Sequence, residues 1–178
     1  FNLLGTCFLF APDDDVNRPT LHFFQTDFAS QWPCSLDVAM SHAVTHSLNV
    51  TTKELARQWQ HLFVGPQALS APPWGSVYLD NEGLLHGDST LALAAFLEKE
   101  RLNVQTPFPE PVDHIGLMLF QAAVLASQQR ESALTTLLTQ HLLSWLPLYL
   151  ARLKQAGKSP FYQYLTELTL LTVKGYLK

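Results

Sequence analysis

Residues 115–125, from Ile115 through Met118 and Phe120 to Leu125, are apolar on nearly every side of a 3.6-residue period. A helix without a polar face is stable only when other elements surround it, so this segment belongs at the centre of a bundle. Helical spacings of apolar residues recur along the rest of the chain, and no turn-flanked alternation of the β-hairpin kind interrupts them. The expectation is an all-α fold: a single-domain helical bundle over residues 1–178, with one long, ordered loop rich in Pro, Gly and Trp.

Local signals set the expected helix ends. Residues 3–10 fit the end of a buried helix, stopped by Ala11, Pro12 and the acidic turn Asp13, Asp14 and Asp15. Residues 20–33 read as a helix followed by irregular chain. Ser35 is placed to cap a helix to about Leu48, with Leu36, Ala39, Ala43 and Val44 inward. Thr51 and Glu54 form a capping-box pattern. The helix they open carries Leu55, Trp59, Leu62 and Phe63 on one face. Asp88 or Ser89 caps a helix that buries Leu91, Leu93, Phe96 and Leu97. Glu110 and Pro111 begin the central helix, with proline in a first turn. Residues 131–156 are helical in pattern but contain Pro147, which removes an amide donor and clashes with the preceding turn, so a break is expected near Trp145 and Leu146. Gly157 ends that unit. Ser159 and Pro160 start a last helix bearing Phe161, Tyr164, Leu165, Leu168 and Leu171, with Gly175 as its stop.

The organising stretch runs from Gln58 to His114. Its loop, reaching to about His86, holds Gly65, Pro66, Pro72, Pro73, Trp74 and Gly75. Connections of this length inside a compact domain are functional or disordered, and the aromatic content argues for order.

Composition excludes several function classes. The 178-residue chain is 47% apolar with a net charge of -4. That is enough for a sizeable core and gives no basic footprint for nucleic acid. Two cysteines, Cys7 and Cys34, lack CxxC spacing and read as buried free thiols suited to the cytosol. No apolar run is long enough for a transmembrane helix, and the opening residues lack the basic region and cleavage site of a signal peptide.

Four constellations could carry chemistry. Asp113 and His114 are an adjacent acid and base at a loop-to-helix junction. Helix capping accounts for Asp113, and no nucleophile elbow accompanies the pair. His42 and His46 share a helix face at zinc-enzyme spacing, but the glutamate of that motif and a third ligand are missing, so a surface helix explains them better. Gly87, Asp88, Ser89 and Thr90 resemble a phosphate loop without its lysine and read as a turn plus cap. Trp74, behind two prolines, is either a core anchor or part of a binding surface.

Three stretches carry a family resemblance: Leu62-Phe63-Val64-Gly65-Pro66; Ala71-Pro72-Pro73-Trp74-Gly75-Ser76-Val77-Tyr78-Leu79-Asp80; and Gly87-Asp88-Ser89-Thr90-Leu91-Ala92-Leu93. With Glu110-Pro111-Val112-Asp113-His114 downstream, they resemble the DmsD branch of the TorD/DmsD redox-enzyme maturation chaperones. His141 to Trp145 and Pro160 to Tyr162 match later family positions. The resemblance covers nearly the whole chain, with the family's start and tail expected to be cut short.

The resemblance implies a cytoplasmic, all-helical, non-enzymatic chaperone without metal or cofactor. Such proteins bind the twin-arginine leader of a molybdenum oxidoreductase catalytic subunit and delay export until its cofactor is loaded. It implies leader contacts at Trp59, Leu62, Pro73, Trp74, Gly87, Asp113 and His114. Asp88 joins them as a second carboxylate for the arginines, because guanidinium pairs best with carboxylate. Gln67 stands where the branch carries a tryptophan. The implied partners extend to the Tat translocase, without stable membrane insertion and without nucleic acid. The expected state is a monomer, with a domain-swapped dimer as the alternative. The competing functions are a small-molecule hydrolase and a weak nucleotide-binding switch, both using Asp113 and His114.

Overall fold

A computed structural model describes residues 1–26, 28–80, 87–103 and 109–177. In it the apolar run is helix α7 (Ile115–Ser127), with Ile115, Met118, Leu119, Ala122 and Leu125 fully buried. The other helices are α1 (Asn2–Leu9), α2 (Arg18–Phe24), α3 (Val38–Ser47), α4 (Thr52–Phe63), α5 (Ser76–Leu79), α6 (Asp88–Lys99), α8 (Glu131–Thr136), α9 (Leu146–Ala156) and α10 (Pro160–Tyr176). Among the described residues there is no strand, only one isolated bridge. The all-α expectation holds. The chain forms two compact units: Phe1–Gly5 with Pro72–Tyr149, and Thr6–Ala71 with Leu150–Lys178.

The unit containing α7 is built around it. Gly5 of α1 lies so near α7 that a Cβ there would stand 2.9 Å from the Gly116 carbonyl oxygen and 3.2 Å from the Phe120 ring. Helix α8 packs on α7 and runs into a π-helical segment, Leu137–Leu142, whose Leu137, Leu138 and Leu142 are fully buried. Arg130 joins the start of α8 to the end of α6 through the Glu100 carboxylate and, at 2.8 Å, the Glu100 carbonyl. The helix break falls where proline demands it. Residues 143–145 form a turn, and Pro147 sits in the first turn of α9, where its missing N–H has no acceptor to lose.

In the other unit an aromatic cluster forms the core: Phe24 meets Phe28 at 5.1 Å and Phe161 at 6.3 Å, and Phe63 meets Tyr162 at 5.6 Å. Trp32 Nε1 donates to Thr172 Oγ1 at 2.9 Å. Helix α3 packs on α10.

Several expected details change. Asp37, not Ser35, caps α3, accepting from Ala39 N at 2.9 Å. The buried stripe becomes Ser41, Val44, Ser47 and Leu48, and Ala39 is exposed. Ser41 and Ser47 tolerate burial because their hydroxyls bond the carbonyls of Val38 and Val44. The same device keeps Thr166, Thr169 and Thr172 inside α10 while Leu171 points out, 46% exposed. Gly175 lies within α10, where an added Cβ would be 3.0 Å from the Cys34 Cβ, so it serves close packing rather than termination. Thr51 caps α4 as expected, but the Glu54 carboxylate turns to Arg57 and Gln58 instead of reaching back. The central helix starts at Ile115, and Pro111 lies in the preceding turn. Leu91 is 63% exposed rather than buried. Cys7 is buried and Cys34 half-buried. The long loop contains the single turn of α5, and its expected end, residues 81–86, lies outside the described residues.

Candidate functional site

Asp113 is buried, 3% exposed, at the meeting of three helix starts. Its Oδ2 accepts from Ser76 N at the head of α5 (2.8 Å) and from Thr90 Oγ1 in the first turn of α6 (3.2 Å). It therefore caps α5 across 37 residues of sequence, not its own helix. A carboxylate is favoured there because orphan N–H groups at a helix start carry partial positive charge. Its other oxygen, Oδ1, is buried with no hydrogen-bond partner among the described residues.

His114 caps α7. Its Nδ1 accepts from Gly116 N at 3.1 Å, so the neutral ring carries its proton on Nε2. Burial lowers its pKa from 6.5 to about 3. Asp113 and His114 are thus directed to different partners, and the histidine stays neutral at physiological pH. This arrangement does not make the acid–base dyad that a hydrolase would need.

The backbone fixes both residues against the loop. Trp74 and His114 form an antiparallel bridge, with Gly75 N donating to Asp113 O (3.2 Å) and Ile115 N to Pro73 O (2.9 Å). Pro73 is buried and Trp74 half-buried. The Trp74 ring lies 6.1 Å from the His114 ring, and its Nε1 donates to Glu110 Oε2 at 3.0 Å. Behind the bridge, a Cβ on Gly75 would meet Trp145 Nε1 at 2.8 Å. Trp145 stacks on Tyr78 and is held by its own hydrogen bond to His141 O.

Gly87 is the N-cap of α6 and makes no side-chain cap. Asp80 supplies one instead, accepting from Ser89 N (3.1 Å) and Ser89 Oγ (2.8 Å). A Cβ on Gly87 would come within 2.2 Å of Asp80 Oδ2, so glycine leaves room for that carboxylate. Asp88 is exposed. The expected cap at Asp88 or Ser89 is therefore replaced by Asp80.

Five expected residues, Pro73, Trp74, Gly87, Asp113 and His114, are joined by this network, and Asp88 follows Gly87 on the surface. Trp59 and Leu62 lie on α4 in the other unit. Leu62 is buried. Trp59 is half-buried at 5.8 Å from Phe63, with its Nε1 buried and unbonded among the described residues. Ser76, Asp80, Thr90 and Glu110 were not among the expected site residues, although each lies in one of the motif stretches that carry the family resemblance. His42 and His46 are both exposed, and no group of three metal-ligating residues occurs among the described residues.

The comparisons agree with the family resemblance carried by the sequence motifs. A family profile described as nitrate reductase delta subunit matches residues 30–151. The probable Tat proofreading chaperone DmsD of Haemophilus influenzae is 41% identical over 176 residues, covering 98% of this chain and 86% of its own length. The Tat proofreading chaperone DmsD of Salmonella typhi is 37% identical over 175 residues, covering 96% and 84%. The chaperone protein TorD of Shewanella pealeana is 30% identical over 153 residues, covering 82% and 69%. These relatives are named as chaperones, not enzymes. The chain belongs to the nitrate reductase delta subunit family and, within it, to the TorD/DmsD redox-enzyme maturation chaperones.

Proposed function

We propose that this chaperone binds the twin-arginine leader of a molybdenum oxidoreductase catalytic subunit in the cytoplasm. It withholds that subunit from the Tat translocase until cofactor insertion is complete. Residues 1–178 act as one chaperone domain, as a monomer. The observation that carries the reading is the fixed indole of Trp74, half-buried between His114 and Glu110, on the same unit as the exposed Leu79, Leu91 and Asp88. A leader of this class presents guanidinium groups followed by an apolar stretch. Carboxylates and an aromatic face suit the first, and exposed aliphatic side chains suit the second. Pro73, Asp113 and His114, all buried, hold the site in shape. Gly87 admits Asp80 beside it, and Asp88 offers a carboxylate to solvent. Trp59 and Leu62 are proposed leader contacts on their own unit.

Calorimetric titration with an Arg-Arg leader and its Lys-Lys counterpart tests this. Micromolar or tighter binding of the first, lost in the second, is expected. Absence of binding to leaders from a panel of molybdoenzyme subunits would overturn it.

A further inference from the structure

Within the unit that contains α4, that helix and the turn between α9 and α10 line a groove of about 360 Å³. Three basic side chains line it: Arg57 and His61 from α4, and Lys158 from the turn. The fourth element is the N-terminus of α10, a 17-residue helix whose first amides have no intrahelical acceptor. Ser159, its N-cap residue, lines the groove and is 3% exposed, yet its hydroxyl does not cap the helix and hydrogen-bonds no described residue. Ser159 is thus a buried residue on the groove wall whose hydroxyl has no bonded partner among the described residues and is free to donate to a molecule in the groove.

A second polar atom of the groove also lacks a partner. Gln58 lines the groove, and its Oε1 is buried without a partner. The amide cannot be reversed to relieve this, because Nε2 must face the Glu54 carboxylate, to which it donates at 2.9 Å. Glu54 also holds Arg57 Nη2 at 2.9 Å, which fixes the guanidinium beside the groove. One carboxylate thus faces two permanent cations and a histidine, and the local balance is positive on a chain whose net charge is -4.

We propose that this groove binds a phosphate-type oxyanion that also carries a hydroxyl, either hydrogen phosphate or a small phosphomonoester. Arg57, Lys158 and the head of α10 attract the oxyanion, Ser159 donates to it, and Gln58 Oε1 accepts from its O–H. Helix N-termini bind phosphate through their free amides and dipole, and charged donors strengthen such bonds. The site is distinct from the Trp74 network and does not depend on the leader-binding reading. Leu62, which also lines the groove, is the one residue common to both proposals.

The test is calorimetry on the whole chain at low ionic strength with inorganic phosphate and, separately, glycerol phosphate. Wild-type protein is expected to show saturable binding in the millimolar range or tighter. Lys158→Ala, Arg57→Ala and Ser159→Ala should each weaken it, the two charge variants by about tenfold or more. Lys154→Ala removes a nearby charge that pairs with Glu167 outside the groove and should leave binding within about twofold of wild type. Thermal melts of the variants confirm that the fold persists. Tighter binding of glycerol phosphate assigns the ligand as a phosphomonoester; equal or weaker binding assigns it as the free ion. No saturable binding of either compound, or equal loss in Lys154→Ala, overturns the proposal.

Discussion

Asp113 and Ser76 are joined by a 2.8 Å hydrogen bond from the Ser76 backbone amide to Asp113 Oδ2. The link closes a loop that begins before Pro72 and makes the residue preceding His114 the cap of a helix far upstream. Thr90 adds α6 to the same oxygen. One buried carboxylate therefore positions the start of α5, the start of α6 and, through the adjacent His114, the start of α7.

Asp113→Ala should destabilise the protein by roughly 2–3 kcal/mol, because it leaves the Ser76 amide and Thr90 hydroxyl buried and unpaired. The expected readout is a melting temperature lower by about 5–10 °C with helical circular dichroism retained below the transition. Asp113→Asn keeps an acceptor for the amide and should recover part of the loss. An unchanged melting temperature would mean that the carboxylate is not part of the fold's support.

His114 makes stability depend on pH. Its folded pKa of about 3 lies below the 6.5 of an unperturbed histidine, so between those values the unfolded chain binds a proton that the native chain refuses. Stability should be unaffected by this group above pH 6.5 and fall as pH drops toward 3, by up to about 1.4 kcal/mol per pH unit. His114→Asn retains a capping acceptor without the titration. Its chemical-denaturation curve should be flatter over the same window than that of wild type.

The helical class and most helix cores were legible because they rest on periodicity, which one sequence carries. The capping pattern at Thr51, the break at Pro147 and the central apolar run all act within a few residues. Errors clustered where a serine or threonine took an inward position by bonding its own helix, as Ser41, Ser47 and Thr172 do. Others arose where a cap came from a distant segment, as Asp80 does for Ser89 and Asp113 for Ser76. No local pattern encodes a partner 37 residues away. The family motifs included Asp113, Ser76 and Thr90 in separate stretches without revealing that the last two meet the first on one carboxylate oxygen.

Gly87→Ala and Asp80→Ala should fail for the same reason. The first places a Cβ where Asp80 Oδ2 lies, and the second removes that carboxylate, so either one leaves the start of α6 uncapped. Each is expected to cost about 1 kcal/mol. In urea denaturation the double variant should cost no more than the worse single one, because both delete one interaction. Additive losses would show that Gly87 has a role independent of the cap.

Gly75→Ala should be the most damaging of the small substitutions. Its Cβ would lie 2.8 Å from Trp145 Nε1 and 2.9 Å from Cε2, inside normal contact distance. The indole has nowhere to retreat, because it stacks on Tyr78 at 5.6 Å and donates to His141 O at 2.9 Å. Overpacking of this kind costs about 1–3 kcal/mol. A lowered melting temperature with a changed near-ultraviolet tryptophan signal is expected; an unaltered spectrum would place the strain elsewhere.

Leu91 separates binding from folding. It is 63% exposed in the first turn of α6, two residues beyond Ser89, which Asp80 caps, so core packing does not depend on it. Leu91→Asn should therefore leave the melting temperature within about 1–2 °C of wild type, as surface changes do. On the proposed leader-binding reading, Leu91 covers part of the leader's apolar stretch, and burying a leucine against a partner contributes about 1.5–3 kcal/mol. Calorimetry should then show a loss in leader affinity of about tenfold or more, carried equally by Arg-Arg and Lys-Lys leaders in proportion to their wild-type binding. Asp88→Asn should act differently, lowering the preference for Arg-Arg over Lys-Lys because it removes a carboxylate that suits guanidinium better than ammonium. If both variants bind the Arg-Arg leader as wild type does, the leader does not lie across the head of α6.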